Sequence, residues 1–317
     1  MKTLFTAVLL LGTSFALAQA PQRPLLPLNT YALPDYHAVE VSEAFTMPAG
    51  MAFDSVAAVD MNAAGHLIVL HRGAQPFLEF DADGNLLRAF GPEGMFSRSH
   101  GLRIAPDGSM WVTDVGAHFV RKFSADGETL LTLGTPGEAG EWNEATNSHL
   151  FNQPNETALD SKGNLYVVSG HGVAEPKVLK FSPTGEFIKQ WGGKGAGPGQ
   201  FFAAHAIQID ASDKLYIADR ENFRIEIFDT EGNYLNEWTF NAMVCGLYLH
   251  NGFMYMTSGF DGEWAKIDMM GNLLGSLGSP GMGNGQFGEA HYLVLDKADN
   301  VYISDVVNRR VQKYQKD

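Results

Sequence analysis

The chain has 317 residues, enough for one large domain or two average ones, and 45% of them are hydrophobic, which supports a substantial core and excludes a disordered chain. Its formal charge of -14 at pH 7 repels phosphate backbones and anionic lipid, which excludes nucleic acid and membrane insertion from the expected partners. The single cysteine, Cys245, rules out an intramolecular disulfide, and within the apolar run AMVCGLYL it reads as a buried core residue.

Residues 1–20, MKTLFTAVLLLGTSFALAQA, combine one basic residue, an apolar run of export-signal length and small residues at Ala16, Ala18 and Ala20. Cleavage after Ala18 is favoured over Ala20, because Pro21 would follow the second site. An uncleaved anchor is the alternative, but the run is short for a bilayer span. A soluble protein, periplasmic or secreted, is therefore expected. Loss of Lys2 with the signal makes the mature chain one unit more negative. Residues 21–36 are proline-rich and read as an extended leader.

From residue 37 to 317 a repeat runs through the chain. Its unit is an apolar strand, a turn such as PDGS, SKGN, ASDK or KADN, a second strand, a loop, a third strand such as VRKF, VLKF or IEIF, and a fourth such as FIKQWGG. The second strands end at His71, Asp114, Ser169, Asp219, Ser258 and Asp305. Six units at intervals of roughly 40–55 residues predict an all-β fold, a six-bladed β-propeller. The last unit stops one strand short, and HAVEVSEAF (residues 37–45) is placed to supply that strand and close the ring.

His100, His205 and His291 open the first strands of units 2, 4 and 6, each at one fixed interval before Asp114, Asp219 and Asp305. First strands line the axis of a propeller, and alternate blades are about a third of a turn apart, so three equivalent imidazoles are expected to converge at one mouth of the tunnel. Three neutral imidazoles suit zinc or another divalent transition metal, with a position left open for water or substrate. The same interval puts Ala57, Asn155 and Val244 in this slot in the other units. Arg72, Arg220 and His171, just past second-strand ends, are expected around the same mouth. The arginines would hold a carboxylate or oxyanion, and His171 would serve as general base or fourth ligand. The bland alternatives are that Arg220 only pairs with Glu221, and that the histidines hydrogen-bond within the tunnel wall. Asp114, Asp219, Asp305 and His118 read as structural.

The Gly-rich connectors GGKGAGPGQFF and GSPGMGNGQFG, with NFRIEIF and NRRVQKY, resemble NHL repeats. LRIAPDGSMWVTDVGAHFVRKF, FSPTGEFIKQWG, GQFFAAHAIQID and IADRENFRIEIF together resemble the lyase domain of peptidylglycine α-amidating enzymes, peptidyl-α-hydroxyglycine α-amidating lyase. That resemblance implies a six-bladed propeller in which zinc bound by three axial histidines helps split an α-hydroxyglycine C-terminus into an amide and glyoxylate. It makes His100, His205 and His291 the metal ligands, and Arg72 and Arg220 the substrate-facing arginines. The family's catalytic tyrosine falls where this chain has His171, and a methionine near the third ligand is Glu289, which adds a carboxylate on the substrate side. The acidic residue of the family's calcium site is Tyr292, which counts against calcium although Val59 and Leu102 stand where backbone carbonyls would be offered. A monomeric lyase acting on a peptide C-terminus or a small molecule is expected. The alternatives are a related metal-dependent lyase or hydrolase with another small substrate, a purely structural metal, and a non-enzymatic propeller that binds a peptide or protein partner.

Overall fold

The structure, a computed structural model, describes residues 32–172 and 174–317. The expected export signal and the leader as far as Tyr31 lie outside the described residues. Aspartates placed at strand ends make the hairpins. Asp160 Oδ1 accepts from the N–H groups of Lys162 and Asn164, and Asp268 Oδ1 from those of Met270 and Asn272. Gly163 and Gly271 complete those turns at φ 79° and 90°, a left-handed backbone that a side chain would strain.

These turns fold the chain into six four-stranded sheets. The innermost strands are Val56–Met61, Ser99–Ile104, Pro154–Leu159, Ala204–Ile209, Leu247–His250 and Ala290–Leu295. Second strands are buried along almost their whole length, whereas fourth strands such as Thr129–Leu133 and Phe187–Gly192 are largely accessible. Burial therefore falls from the axis to the rim, as required of sheets packed face to face around a centre. The core is divided among the blade interfaces. Trp111, Val120 and Leu133 of blade 2 meet Leu165, Val167 and Phe181 of blade 3, and Tyr166 and Val178 of blade 3 meet Ile217 and Phe228 of blade 4.

Ring closure follows the sequence expectation. Tyr36–Val39 pairs antiparallel with Arg310–Lys316 as the fourth strand of the last blade, Tyr36 opposite Lys316. The rest of residues 37–45 departs from it: Val41–Ala44 forms one helical turn, and Ala44 and Phe45 pack into the core between the last and first blades. A short hairpin, Trp142–Asn143 with Ser148–His149, also stands in the connector between blades 2 and 3, where Trp142 packs edge-on against Phe181 at 4.8 Å.

Candidate metal centre

Each axial histidine is presented by the same local device. The residue before it pairs with the last residue of the second strand: Ser99 with Asp114, Ala204 with Asp219, Ala290 with Asp305. Those aspartates accept N–H groups from the incoming loop, at Ser97 and Arg98, at Phe202 and Ala203, and at Gly288 and Glu289. The aspartates thus have the structural role read from their recurrence, and they fix the loop from which each histidine enters. The pairing register then shifts at each histidine, as in a β-bulge, which re-aims the side chain out of the sheet.

The three rings form a nearly equilateral triangle. Centroid separations are 4.9 Å for His100–His205, 4.7 Å for His100–His291 and 5.1 Å for His205–His291. Their ligand nitrogens all lie within 4.8 Å of one another, and all three residues are buried. Every Nδ1 donates to a backbone carbonyl of the next blade: His100 to Asn155 at 2.9 Å, His205 to Cys245 at 2.8 Å and His291 to Ala57 at 2.6 Å. That fixes the tautomer and leaves Nε2 with its lone pair. The Nε2 of His100 is buried without a hydrogen-bond partner, an orphan atom of the kind a cation would satisfy. Burial pushes all three imidazoles down, aided by the neighbouring histidines and Arg220 around His205 and by Arg72 and Arg220 around His291, which lies at about 3. Neutral rings with oriented lone pairs fit a divalent transition metal.

The carbonyl acceptors identify the slot residues of the other blades and correct one of them. Asn155 and Ala57 occupy it as expected, but in blade 5 it holds Cys245, not Val244. Thr113 Oγ1 accepts from Gly101 N–H, and Thr257 Oγ1 accepts from Gly246 N–H, so Cys245 is the counterpart of His100. The first hairpin of blade 5 is one residue shorter, which the fixed interval could not register. The shared Gly-Leu after His100 and Cys245 was the available signal. Cys245 is buried as expected but faces the centre, its Sγ 3.7 Å from His205 Nδ1. With Glu289 and His291 it forms a second group whose ligand atoms lie within 4.8 Å of one another.

Arg72, Arg220, His171 and Glu289 surround the triad. His171 stands beside it, its ring 5.0 Å from His100 and 5.8 Å from His205, and it is not among the three converging ligands. Burial, with Arg220, Arg98 and Arg72 nearby, pushes its imidazole down to about 3. Arg72 directs Nε and Nη2 to the carbonyl of Ser99 at 3.2 and 3.1 Å. Arg220 does pair with Glu221, through Nε at 2.8 Å and Nη2 at 2.6 Å. It is nevertheless close enough to His205, His171 and Glu289 to shift all three. Burial raises the Glu289 carboxyl, against the pull of Arg220, Arg72 and Arg98. Arg98 was not read from the sequence. It sits in the loop before the slot, outside any second-strand end, and brings a third cation to the mouth.

Below the triad the tunnel is closed. Tyr292 lies with its ring 4.5 to 5.8 Å from the three imidazoles and donates its hydroxyl to the His205 carbonyl at 3.1 Å. Arg103 follows, paired with Glu156 and lying 3.8 Å from Asp60. Calcium requires several anionic or carbonyl oxygens, and a carbonyl-bound phenol beside a guanidinium does not fit it.

The family model described as a 6-bladed beta-propeller matches residues 146–271. NHL repeat-containing protein 3 of Homo sapiens is 29% identical over 265 residues, covering 75% of this chain and 72% of that protein. Peptidyl-glycine alpha-amidating monooxygenase A of Xenopus laevis is 32% identical over 240 residues, 64% of this chain and 25% of that protein, so the chain spans a quarter of its length. Peptidyl-alpha-hydroxyglycine alpha-amidating lyase 1 of Drosophila melanogaster is 30% identical over 164 residues, 48% of this chain and 29% of that protein. Among solved structures, a streptogramin B lyase superposes with a TM-score of 0.63 at 13% identity, covering 91% of this chain and all of that one, a likeness of fold. The chain is a six-bladed β-propeller similar to the amidating enzymes and to NHL-repeat proteins.

Proposed function

We propose that the chain is an exported, metal-dependent carbon–nitrogen lyase of the amidating type, which splits an α-hydroxyglycine C-terminus into an amide and glyoxylate. The observation that carries this reading is the triad itself: three neutral imidazoles, each oriented through Nδ1, present Nε2 to one point beside two arginines. Zinc or a similar divalent ion held by His100, His205 and His291 would supply Lewis acidity and lower the pKa of the substrate hydroxyl. Arg72 and Arg220 would hold the substrate carboxylate. His171, neutral in the free site, would take the hydroxyl proton as the carbon–nitrogen bond breaks. The bonding pair leaves with the amide nitrogen, which receives that proton, and the hydroxyl-bearing carbon becomes the aldehyde of glyoxylate. Burial is the main cause that holds His171 down, and the incoming carboxylate offsets the smaller part that comes from the arginine charges.

Two relatives that carry the amidating activity in their names support this reading. The acidic surface and the N-terminal 20 residues support an exported, soluble monomer with a peptide or small-molecule substrate and no nucleic-acid partner. A second reading, a non-enzymatic propeller binding a peptide or protein partner, is favoured by the fuller coverage of NHL repeat-containing protein 3. Replacement of the family's tyrosine and methionine by His171 and Glu289 favours a third, a related lyase or hydrolase with another small substrate. Glyoxylate release from an α-hydroxyglycine-extended peptide separates them. The lyase reading expects turnover that His205→Ala abolishes; turnover that survives His205→Ala, or a metal-loaded protein that releases no glyoxylate, contradicts it.

A further inference from the structure

Arg98 and His100 leave the same side of their strand. The ladder that pairs Ser99 with Asp114 extends one step outward, where Val115 N–H donates to the Arg98 carbonyl at 3.1 Å, so side chains still alternate there. Ser97 and Ser99 face the space between blades 1 and 2. Arg98 therefore faces the other way, with His100, into the mouth. Its stem is fixed. Asp114 accepts the N–H groups of Ser97 and Arg98, and glycine at position 116 lets the next loop lie so close that a Cβ there would meet Arg98 Cβ at 2.8 Å.

Of the three arginines at the mouth, Arg98 alone has an uncommitted head. Arg72 donates to the Ser99 carbonyl, and Arg220 is paired with Glu221. Arg98 is exposed, and among the described residues its guanidinium makes no hydrogen bond and no ion pair. Its charge nevertheless reaches His171, Arg72 and Glu289, in each case as a smaller influence than burial. On a chain of formal charge -14, such a cation inside a concave mouth is suited to an anion, since low-dielectric walls focus its field there.

The place of Arg98 selects the anion. Two residues along a strand rise by about 7 Å, so Arg98 stands one layer above the imidazole of His100. The equivalent places before His205 and His291 hold Ala203 and Glu289, so this layer presents one cation, one gap and one carboxylate. With a terminal carboxylate held by Arg72 and Arg220, a step of that size is about the reach from the reacting residue to the side chain of the residue before it.

We infer that Arg98 is a specificity-determining residue: it pairs with an acidic side chain on the residue that precedes the reacting position, so the preferred substrate carries Glu or Asp before the α-hydroxyglycine. The inference rests on the lyase reading for its substrate but makes its own demand, a preference of charge.

The test uses the full metal-loaded chain and acylated Glu-α-hydroxyglycine, Gln-α-hydroxyglycine and Lys-α-hydroxyglycine. Pairing with Arg98 predicts kcat/KM for Glu about fivefold above Gln, with Lys below Gln, and a Glu-to-Gln ratio that shrinks as salt is raised. Arg98→Gln brings that ratio close to one, and Arg98→Glu inverts the order of Glu and Lys. An arginine with a merely structural role would lower all three rates together when replaced. That result overturns the inference, as does a ratio of one in the unaltered protein, and both leave the lyase reading standing. If glyoxylate comes from none of the three, the lyase reading fails. Calorimetry then still decides the pairing with unreactive acyl-Glu-Gly and acyl-Gln-Gly: tighter binding of the first, lost in Arg98→Gln, supports it, and equal or absent binding overturns it.

Discussion

Each axial imidazole divides its two nitrogens between two tasks. Nδ1 joins its blade to the next, and Nε2 faces the shared centre. The two readings of a recurring histidine, wall hydrogen bond and metal ligand, are thus not alternatives here, because the first sets up the second. At this scale the proposed roles separate kinetically. His171→Phe is expected to lower kcat by about 10²–10⁴ with little change in KM. Arg72→Ala or Arg220→Ala should lower kcat/KM by about 10²–10³, with lysine a poor replacement because it lacks the planar fork. Steady-state glyoxylate release checks both; a histidine variant with unchanged kcat removes it as the base. The triad was legible in the sequence because it repeats at one interval. Cys245 was not placed at the centre, because a single deleted residue in a hairpin moves every side chain in register. Arg98 was missed because a loop has no periodicity to read.

The elements that hold the site are joined around the axis by side chain to backbone bonds. Arg72 reaches Ser99, His100 reaches Asn155, Asn155 reaches Ala204, His205 reaches Cys245, Thr257 reaches His291 and His291 reaches Ala57. A second course lies deeper. Asp60 accepts Ile104 N–H, Arg103 pairs with Glu156, Glu156 accepts Ile207 N–H and Gln208 donates to Leu247. Arg103→Met would leave Asp60 and Glu156 buried without their cation, and is expected to cost about 3–5 kcal/mol in denaturant unfolding. Burial raises Glu156 from 4.5 to about 7 in spite of Arg103. The folded state then holds this proton more tightly than the unfolded chain, so the contribution is complete below about 4.5 and is lost as pH rises through about 7. Relative to Glu156→Gln, the unaltered protein should therefore lose stability across that interval; parallel curves would contradict the shift. Strands and hairpins were readable because Asx turns recur at their ends. The hairpin at Trp142 and the helical turn at Val41 were not, since each is held by tertiary packing of one or two aromatic residues.

At the scale of the whole molecule, the ring is closed by four residues, Tyr36–Val39, laid on the edge of the final blade. Removing the chain through Val39 should expose the edge of Arg310–Lys316, lower the melting temperature and promote association, which scanning calorimetry and sedimentation would show. Closure also fixes the angular spacing that turns three separated histidines into one site, and Tyr292 with the Arg103 cluster closes the tunnel beneath them. The site therefore faces one mouth, where Arg72, Arg98, Arg220, His171 and Glu289 gather. The most direct test is the metal content of the purified, dialysed protein beside that of a folded His205→Ala variant. About one divalent transition ion per chain is expected in the first and none in the second. A metal-free protein, or the same content in both, would contradict it.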